Sequence, residues 1–180
     1  MGNERWICRS LRQFPEALSR GVVEIGAGDG LLCAKLARIF PQTQLMGYDL
    51  LARPENLSPQ IDWQQGDIFK ISPPPASGVM VANLLLHHFA TESLPALGCW
   101  FGNFEVLIFN EPDRARIPHL LGHLLHPWIN RVTRHDLHAS ITAGFSVGEI
   151  PHLLKSIPGN WQFEETSTWR GARRVIGWRT

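Results

Sequence analysis

Short apolar runs alternate with helical patterns along most of the chain. Five short strands are predicted: 22–25, which reads as buried, 44–48, 62–65, 78–84, which is the most apolar, and 105–110. Apolar positions recur at helical spacing in 6–19, with an interruption at Pro15, and in 31–40, which stops before Pro41. The pattern therefore predicts strands and helices in alternation.

The second half of the chain continues this pattern with a change of rhythm. A helical region is predicted at 87–97 and a further helix at 148–157. Two strands joined by a turn, 161–168 and 174–178, follow near the C-terminus. Strands that alternate with helices at this pace require crossover connections, so the sequence predicts an α/β protein with a mostly parallel sheet.

A glycine-rich loop follows the first predicted strand directly. Gly26, Gly28 and Gly30 have the spacing GxGxG, and Glu24 stands two residues before them. Glycine lets a ligand approach the backbone because no Cβ intrudes, and the loop places that ligand at the positive end of the next helix. The competing interpretation is a dinucleotide fingerprint with the spacing GxGxxG. The third glycine comes one residue too early for that motif.

Polar residues follow three further predicted strands. Asp49 ends the second strand, Asp67 follows the third, and Asn83 ends the fourth. In a doubly wound sheet these positions share one edge, the crevice at the carboxyl ends of the strands. A carboxylate at Asp49 can accept hydrogen bonds from two vicinal ribose hydroxyls. Each aspartate has an alternative role as a helix cap or a turn former, which is common for an isolated Asp.

The pattern ExGxGxG, together with these companions, resembles the first motif of the class I S-adenosylmethionine-dependent methyltransferases. The resemblance covers about residues 20–112. It implies a Rossmann-like, doubly wound, mostly parallel seven-stranded sheet with an antiparallel C-terminal strand pair, and S-adenosyl-L-methionine as the cofactor. The cofactor-binding residues that it implies are Glu24, Gly26, Ala27, Gly28, Gly30, Asp49, Leu50, Gly66, Asp67, Ile68, Asn83 and Leu84.

The segment after the fourth predicted strand points to the type of methyl acceptor. Leu86-His87-His88 resembles the LHH segment of small-molecule methyltransferases, including those of ubiquinone and menaquinone synthesis. The resemblance implies methyl transfer to oxygen or carbon of a phenol, a quinone precursor or a polyketide-like product. An oxygen acceptor usually needs a base. The catalytic candidates are His88, slightly favoured, and His87, with Glu111 as a further candidate.

Residues 112–145 interrupt the alternation, and we expect this insertion to cover the acceptor side of the site. His135 and Asp136 could form an oriented acid–base pair, while Arg131 and Arg134 could bind an acidic or phenolate acceptor or simply lie exposed. Three histidines have the spacing of one helix face: His119, His123 and His126. The leucines between them favour a packing helix, and no carboxylate completes a ligand set, so no metal is predicted.

Composition limits the other classes of function. The net charge of +1 is too small for a broad nucleic-acid surface. Residues 83–86 read Asn-Leu-Leu-Leu, where a nucleic-acid methyltransferase has Asn-Pro-Pro-Tyr or Asp-Pro-Pro-Tyr. No run reaches the roughly 18 apolar residues of a membrane span. Three widely spaced cysteines fit a reduced compartment, so a cytoplasmic protein is expected.

One domain over residues 1–180 is expected from the chain length. A small-molecule methyltransferase is the first hypothesis for its function. The second is a binding module that keeps the S-adenosylmethionine pocket but has lost catalysis, for example as a partner subunit. A protein substrate and a dehydrogenase activity stay open, although the glycine spacing argues against the dehydrogenase. The sequence leaves the oligomeric state open.

Overall fold

A seven-stranded sheet forms the centre of the computed structural model, which describes residues 2–74, 77–114, 144–154 and 157–180. Its strands are β1 Val22–Ile25, β2 Leu45–Asp49, β3 Ile61–Gln65, β4 Ser77–Asn83, β5 Phe104–Pro112, β6 Trp161–Ser167 and β7 Ala172–Arg179. They lie in the order β3-β2-β1-β4-β5-β7-β6. Strands β1 to β5 pair in parallel, and β7 is antiparallel to both β5 and β6.

This topology confirms the predicted fold, a mostly parallel seven-stranded sheet with an antiparallel C-terminal pair. The strand order reverses at β1, because β2 and β3 lie on one side of it and β4 and β5 on the other. Ligands of open α/β sheets bind outside the carboxyl ends of the strands at such a point of reversal. The topology therefore puts the candidate crevice above β1 and β4.

Helices accompany the sheet in the described ranges. The α-helices are α1 Asn3–Leu11, α2 Pro15–Ser19, α3 Leu31–Ile39, α4 Gly98–Phe101 and α5 Glu149–Leu154, and two 3₁₀ helices span Leu86–His88 and Thr91–Leu97. The predicted helix at 6–19 is divided into α1 and α2, since Pro15 starts α2 and lacks the N–H that would continue α1. The region predicted as a helix at 87–97 is 3₁₀ rather than α, and Pro95 lies inside it.

Alternate residues of the strands face opposite sides of the sheet, and each side has its own core. One core joins strand residues to α1 and α3: Ile7, Leu11, Val22, Leu32, Leu36, Val79, Val81, Val106 and Ile108. The other joins the intervening residues to α4 and α5: Val23, Ile25, Met80, Ala82, Trp100, Leu107, Phe109, Ile150 and Leu154. Helices thus cover both faces, as a mostly parallel sheet requires. None of the helices described is long and apolar enough to pass through a lipid bilayer.

Arg53 fixes the loop that connects β2 to β3. Its guanidinium donates hydrogen bonds to the carbonyl oxygens of Ile61 at 2.5 Å, Ser58 at 2.7 Å and Leu57 at 3.2 Å. One side chain therefore satisfies three backbone carbonyl groups of this loop and the start of β3. The loop keeps a defined course beside the carboxyl end of β2.

Candidate active site

The glycine loop connects β1 to α3 through three residues with positive φ. Gly26, Gly28 and Gly30 have φ angles of 68°, 54° and 72°, in a region that residues with a Cβ rarely adopt. The N–H groups of Gly26 and Ala27 donate to the carbonyl oxygen of Tyr48 at 2.8 and 3.1 Å. These bonds attach the loop to the end of β2.

The space around the three glycines differs. A Cβ added to Gly26 would lie 2.5 Å from Leu85 Cδ1, and one added to Gly30 would lie 2.9 Å from Leu57 Cδ1. A Cβ on Gly28 would meet no atom within 4 Å. Gly26 and Gly30 therefore serve close packing against leucines, while Gly28 is the glycine at which a ligand can approach the backbone.

Asp49 ends β2, and both of its carboxylate oxygens accept backbone hydrogen bonds. Oδ2 accepts from the N–H of Gly28 at 2.7 Å, and Oδ1 accepts from the N–H of Leu51 at 2.8 Å. The half-buried carboxylate thus joins the glycine loop to the loop after β2. Each oxygen has a second acceptor site, so the side chain can bind a ligand hydroxyl without giving up either bond.

Large apolar side chains are exposed near these polar groups. Leu31, Leu50 and Leu51 are 66%, 68% and 61% exposed, and Phe69 is 40% exposed. All four follow the carboxyl ends of β1, β2 or β3. A group of exposed apolar side chains at one edge is typical of a binding surface. The carboxyl edge of the sheet therefore carries exposed apolar side chains as well as polar groups.

Asp67 follows β3 and has the contacts of a turn former. Its Oδ1 accepts from the N–H of Phe69 at 3.1 Å, and its Oδ2 lies 3.2 Å from Lys70 Nζ. The backbone hydrogen bond, aided by Lys70, lowers the pKa of the Asp67 carboxyl. Gly66 N–H donates to the carbonyl oxygen of Asp49 at 2.8 Å. This turn is therefore held against the end of β2, and the cofactor-binding role of Gly66 and Asp67 stays a prediction.

Ile68 is anchored on the other side of the turn after β3. Its carbonyl oxygen accepts a hydrogen bond from Trp100 Nε1 at 2.9 Å. Trp100 itself is 1% exposed and meets Tyr48 edge to face, with ring centroids 4.8 Å apart. Trp100, a core residue of α4, thus links the turn after β3 to Tyr48 of β2.

Glu24 lies inside β1 and is buried against α3. Its side chain reaches α3, where Cys33 Sγ donates a hydrogen bond to Oε2 at 2.9 Å. Burial raises the pKa of the Glu24 carboxyl to about 8, and burial with the nearby Glu24 raises the pKa of the Cys33 thiol. The described contact of Glu24 is therefore structural, and its role as a cofactor ligand stays a prediction.

This buried carboxyl predicts a particular pH dependence of stability. The fold favours protonated Glu24 and the unfolded chain does not, so stability is lost as pH rises from the ordinary glutamate pKa towards about 8. Glu24→Gln removes that loss. The unfolding free energy of the variant minus that of wild type should therefore increase by about 2 kcal/mol between about pH 5.5 and pH 7. Urea unfolding of both proteins at the two pH values measures it, and a constant difference would contradict the assignment.

Asn83 ends β4, and the backbone turns sharply after it. Its Oδ1 accepts from Nδ2 of Asn110 at 2.9 Å, and Leu84 N–H donates to the carbonyl oxygen of Asn110 at 2.8 Å. Leu84 has a φ of 59°, a left-handed conformation that costs a leucine about 1–2 kcal/mol. Such strain is typical of functional sites. The turn directs the next three N–H groups towards β5.

Glu111 of β5 accepts those N–H groups and a histidine. Its Oε1 accepts from the N–H of Leu85 at 3.0 Å and of Leu86 at 2.9 Å. Its Oε2 accepts from the N–H of His87 at 3.4 Å and lies 2.8 Å from Nδ1 of the same residue. The Glu111 side chain is 0% exposed. Glu111 therefore caps the turn after β4 and orients His87, and its own role as a base stays a prediction.

His87 and His88 differ in their surroundings. The His87 side chain is 6% exposed, whereas His88 is exposed to solvent. Their ring centroids are 4.1 Å apart. Partial burial and the neighbouring His87 lower the pKa of His88, against an opposing effect of Glu111. A carboxylate can only accept, so the Nδ1 of His87 carries a proton towards Glu111, and in the neutral ring Nε2 is then the acceptor. The catalytic roles of His88 and His87 stay predictions.

Several predicted residues lie outside the described ranges: His119, His123, His126, Arg131, Arg134, His135 and Asp136. Within those ranges, no group of three or more His, Cys, Asp or Glu side chains is arranged to hold a metal ion. A groove of about 320 Å³ lies at the opposite, amino edge of the sheet, and Phe14, Glu105 and Trp178 line it. It is therefore separate from the predicted crevice.

Sequence reasoning missed the buried partners that organise this edge. Cys33, Asn110 and Arg174 were assigned no role, and Glu111 was considered only as a base. Asn110 and Glu111 end an apolar strand, and polar residues at the carboxyl end of a strand could have signalled a site. The partners of Asn110 and Glu111 depend on how β5 is aligned with its neighbouring strands, and the sequence does not show that alignment.

No protein-family model and no curated protein matches this sequence. The fold, in contrast, matches solved structures of methyltransferases. The plantazolicin methyltransferase BpumL, in complex with a triazolic substrate analogue and S-adenosylhomocysteine, superposes with a TM-score of 0.75 at 12% identity, covering 97% of this chain and 90% of that one.

Two further structures have the same fold. Magnesium protoporphyrin IX methyltransferase from Synechocystis PCC 6803, with bound S-adenosylhomocysteine, gives a TM-score of 0.67 at 14% identity, with 99% of this chain and 84% of that chain covered. Human N-acetylserotonin methyltransferase in complex with S-adenosylmethionine gives a TM-score of 0.64 at 16% identity, with 98% and 53% covered. The chain has the fold of class I methyltransferases. At these identities the likeness establishes the fold alone.

Proposed function

We propose that this protein is an S-adenosylmethionine-dependent methyltransferase that acts on a small molecule. The observation that carries the proposal is the hydrogen bond from Gly28 N–H to Asp49 Oδ2. It joins an open glycine loop to a carboxylate at the point where the strand order reverses. The fold likeness to methyltransferases bound to S-adenosylmethionine or S-adenosylhomocysteine supports the same function.

The residues at this edge fit the proposed cofactor. Gly28 leaves room beside the backbone, Asp49 has acceptor sites for ribose hydroxyls, and exposed Leu50 offers an apolar surface for adenine. The other predicted cofactor residues keep their place in the proposal because they lie on or beneath the same loops: Glu24, Gly26, Ala27, Gly30, Gly66, Asp67, Ile68, Asn83 and Leu84.

When bound, S-adenosylmethionine supplies a methyl group on a positively charged sulfur. The chain's part is to hold the acceptor in line and to take its proton. His87 is the proposed general base, since Glu111 fixes the proton on Nδ1 and leaves Nε2 to accept one. Glu111 is a positioning residue. His88 is the second candidate base, because its lowered pKa keeps the ring neutral and able to accept a proton.

Gly28→Ala is expected to fold but to lose cofactor affinity. Its Cβ enters open space, so the variant should lose only the roughly 1–2 kcal/mol of unfolding free energy that a positive φ costs. The same methyl group occupies the approach to the loop, so S-adenosylhomocysteine should bind at least about tenfold more weakly. Calorimetry measures the affinity. Gly26→Ala is the matched comparison, since its Cβ meets Leu85 and destabilises the fold itself. Wild-type affinity in folded Gly28→Ala would contradict the proposal.

The proposal treats residues 1–180 as one cytoplasmic domain with 112–145 on the acceptor side. Two backbone hydrogen bonds support that placement of the insertion. Arg114 N–H donates to the carbonyl oxygen of Phe145 at 3.1 Å, and Phe145 N–H donates to that of Pro112 at 2.9 Å. The described flanks of the insertion therefore meet beside the carboxyl end of β5.

Methyl transfer from labelled S-adenosylmethionine to a panel of phenols, hydroxyquinones and small amines tests the function. We expect transfer to at least one phenol or hydroxyquinone, and its loss in His87→Ala at unchanged S-adenosylhomocysteine affinity. Cofactor binding without transfer to any compound would favour the non-catalytic binding module instead. Equal transfer by wild type and His87→Ala would remove His87 from the reaction.

A further inference from the structure

Two consecutive arginines of β7 have opposite electrostatic surroundings. Arg173 is 4% exposed and is neutralised by Asp113, whose Oδ1 lies 2.9 Å from Nη2. Arg174 points to the other face of the sheet, where it is half-buried. Its contacts there are the Trp6 ring, with Cζ 5.1 Å from the ring centroid, and Oδ1 of Asn110, 3.4 Å from Nε. Within the described ranges no carboxylate pairs with Arg174.

A partly buried guanidinium without a counter-ion is energetically unfavourable. Burial lowers the pKa of Arg174 accordingly. The cation–π contact with Trp6 compensates for part of the lost hydration. None of the described hydrogen bonds uses the two Nη groups, so the fork that binds a carboxylate in two parallel bonds is free.

The amides beside Arg174 are ordered into a chain of donors. Nε of Arg174 can only donate, so Asn110 must present Oδ1 to it. The Nδ2 of Asn110 then donates to Oδ1 of Asn83, which leaves Nδ2 of Asn83 as a further donor. Asn110 is 0% exposed, so this orientation is fixed by its neighbours. Arg174 and Asn83, which are half-buried, therefore offer N–H donors and one positive charge to a ligand, and buried Asn110 orders them.

This donor set lies at the edge of the sheet beside which the proposed acceptor-side insertion begins and ends. Asn83↔Asn110 and Asn110↔Arg174 are direct partners in the pairings of β4 with β5 and of β5 with β7. The three residues therefore form a row at the carboxyl ends of β4 and β5. The next residue of β5, Glu111, holds the proposed base His87. Asn110 and Glu111 are consecutive and face opposite sides of the sheet, so a ligand must extend across the carboxyl ends of the strands to meet both groups.

We propose that Arg174 and Asn83, held in place by the buried Asn110, form an anion-binding subsite for a carboxylate or phenolate group of the methyl acceptor. The proposal rests on the proposed methyltransferase function and names the class of its acceptor as an organic anion. A carboxylate supplies the acceptor oxygens and the negative charge that the row lacks. A neutral acceptor leaves the guanidinium partly dehydrated and uncompensated.

The test compares two probes of equal shape, 4-hydroxybenzoate and 4-hydroxybenzamide, on the full chain saturated with S-adenosylhomocysteine. Ligand-observed NMR titration gives the affinity of each. We expect wild type to bind the benzoate at least about tenfold more tightly than the amide. Arg174→Gln should abolish this preference, and Arg174→Lys, which keeps the charge but loses the fork, should keep part of it. The affinity for S-adenosylhomocysteine should be the same in all variants.

Arg170→Gln is the matched control. Arg170 also lies over a tryptophan, with Cζ 4.7 Å from the Trp169 ring centroid, but it is exposed and stands apart from the asparagine row. This variant should keep the wild-type preference. No preference in wild type, or an undiminished preference in Arg174→Gln or Arg174→Lys, overturns the subsite. Failure of S-adenosylhomocysteine to bind wild type overturns the proposed function instead, and the two probes then test the subsite without it.

Discussion

Asp49→Ala is expected to weaken the binding of S-adenosylhomocysteine about 100-fold, or roughly 2.7 kcal/mol. The variant loses the proposed acceptor for the ribose hydroxyls. It also loses the bond that holds Gly28 N–H at 2.7 Å, so the glycine loop is released from the end of β2. Isothermal titration calorimetry of wild type and variant at equal ionic strength measures the difference.

Asp62→Ala is the matched control for this experiment. Asp62 belongs to the neighbouring strand β3 and is exposed, and its Oδ2 accepts from Gln44 Nε2 at 3.2 Å. It lies towards the amino end of the strand, away from the crevice, so its removal should leave the affinity unchanged. If both variants bound as tightly as wild type, Asp49 would not be part of the site.

Glu111→Ala is expected to lower the free energy of unfolding by about 3–5 kcal/mol. The substitution leaves the N–H groups of Leu85, Leu86 and His87 without their acceptor and leaves a cavity in a fully buried position. Glu111→Gln keeps one oxygen for the backbone but presents an N–H group to Nδ1 of His87. This variant should therefore lose only about 1–3 kcal/mol of unfolding free energy. Its rate of methyl transfer should fall strongly.

Urea unfolding measures the stability of both variants, and Glu105→Ala serves as the control. Glu105 lies in the same strand, is 43% exposed and pairs with Arg20 at the surface. Its removal should cost less than about 1 kcal/mol, as is usual for an exposed ion pair. A pH–rate profile is a second measurement. In Glu111→Gln the proton of His87 should move from Nδ1 to Nε2, and the part of the profile that depends on the general base should shift. An unchanged profile and rate in Glu111→Gln would contradict the positioning role.

Much of the fold could be predicted because the signals are local. The central strands β1, β4 and β5 are mostly apolar runs, and Gly26, Gly28 and Gly30 mark a turn that L side chains adopt poorly. Strand alternation then fixes which edge carries Asp49 and Asn83, since carboxyl ends of parallel strands meet at one edge. These steps require no knowledge of which side chains touch.

The partners within the site could not be predicted because they depend on register. Glu111 reaches His87 across a gap of 24 residues in sequence, and Asn110 meets Arg174 across 64. Such pairs depend on the position of β5 between β4 and β7, and no local sequence pattern indicates that position. The 3₁₀ helices at 86–97 were predicted as one helical region for a related reason, since apolar spacing alone does not separate a 3₁₀ from an α-helix.

Calorimetric titration of the wild-type protein with S-adenosylhomocysteine, and separately with nicotinamide adenine dinucleotide, tests the central claim most directly. The glycine loop, open at Gly28 and joined to Asp49, predicts saturable binding of the sulfur nucleoside in a single site and no binding of the dinucleotide. Binding of the dinucleotide with no response to S-adenosylhomocysteine would contradict the account.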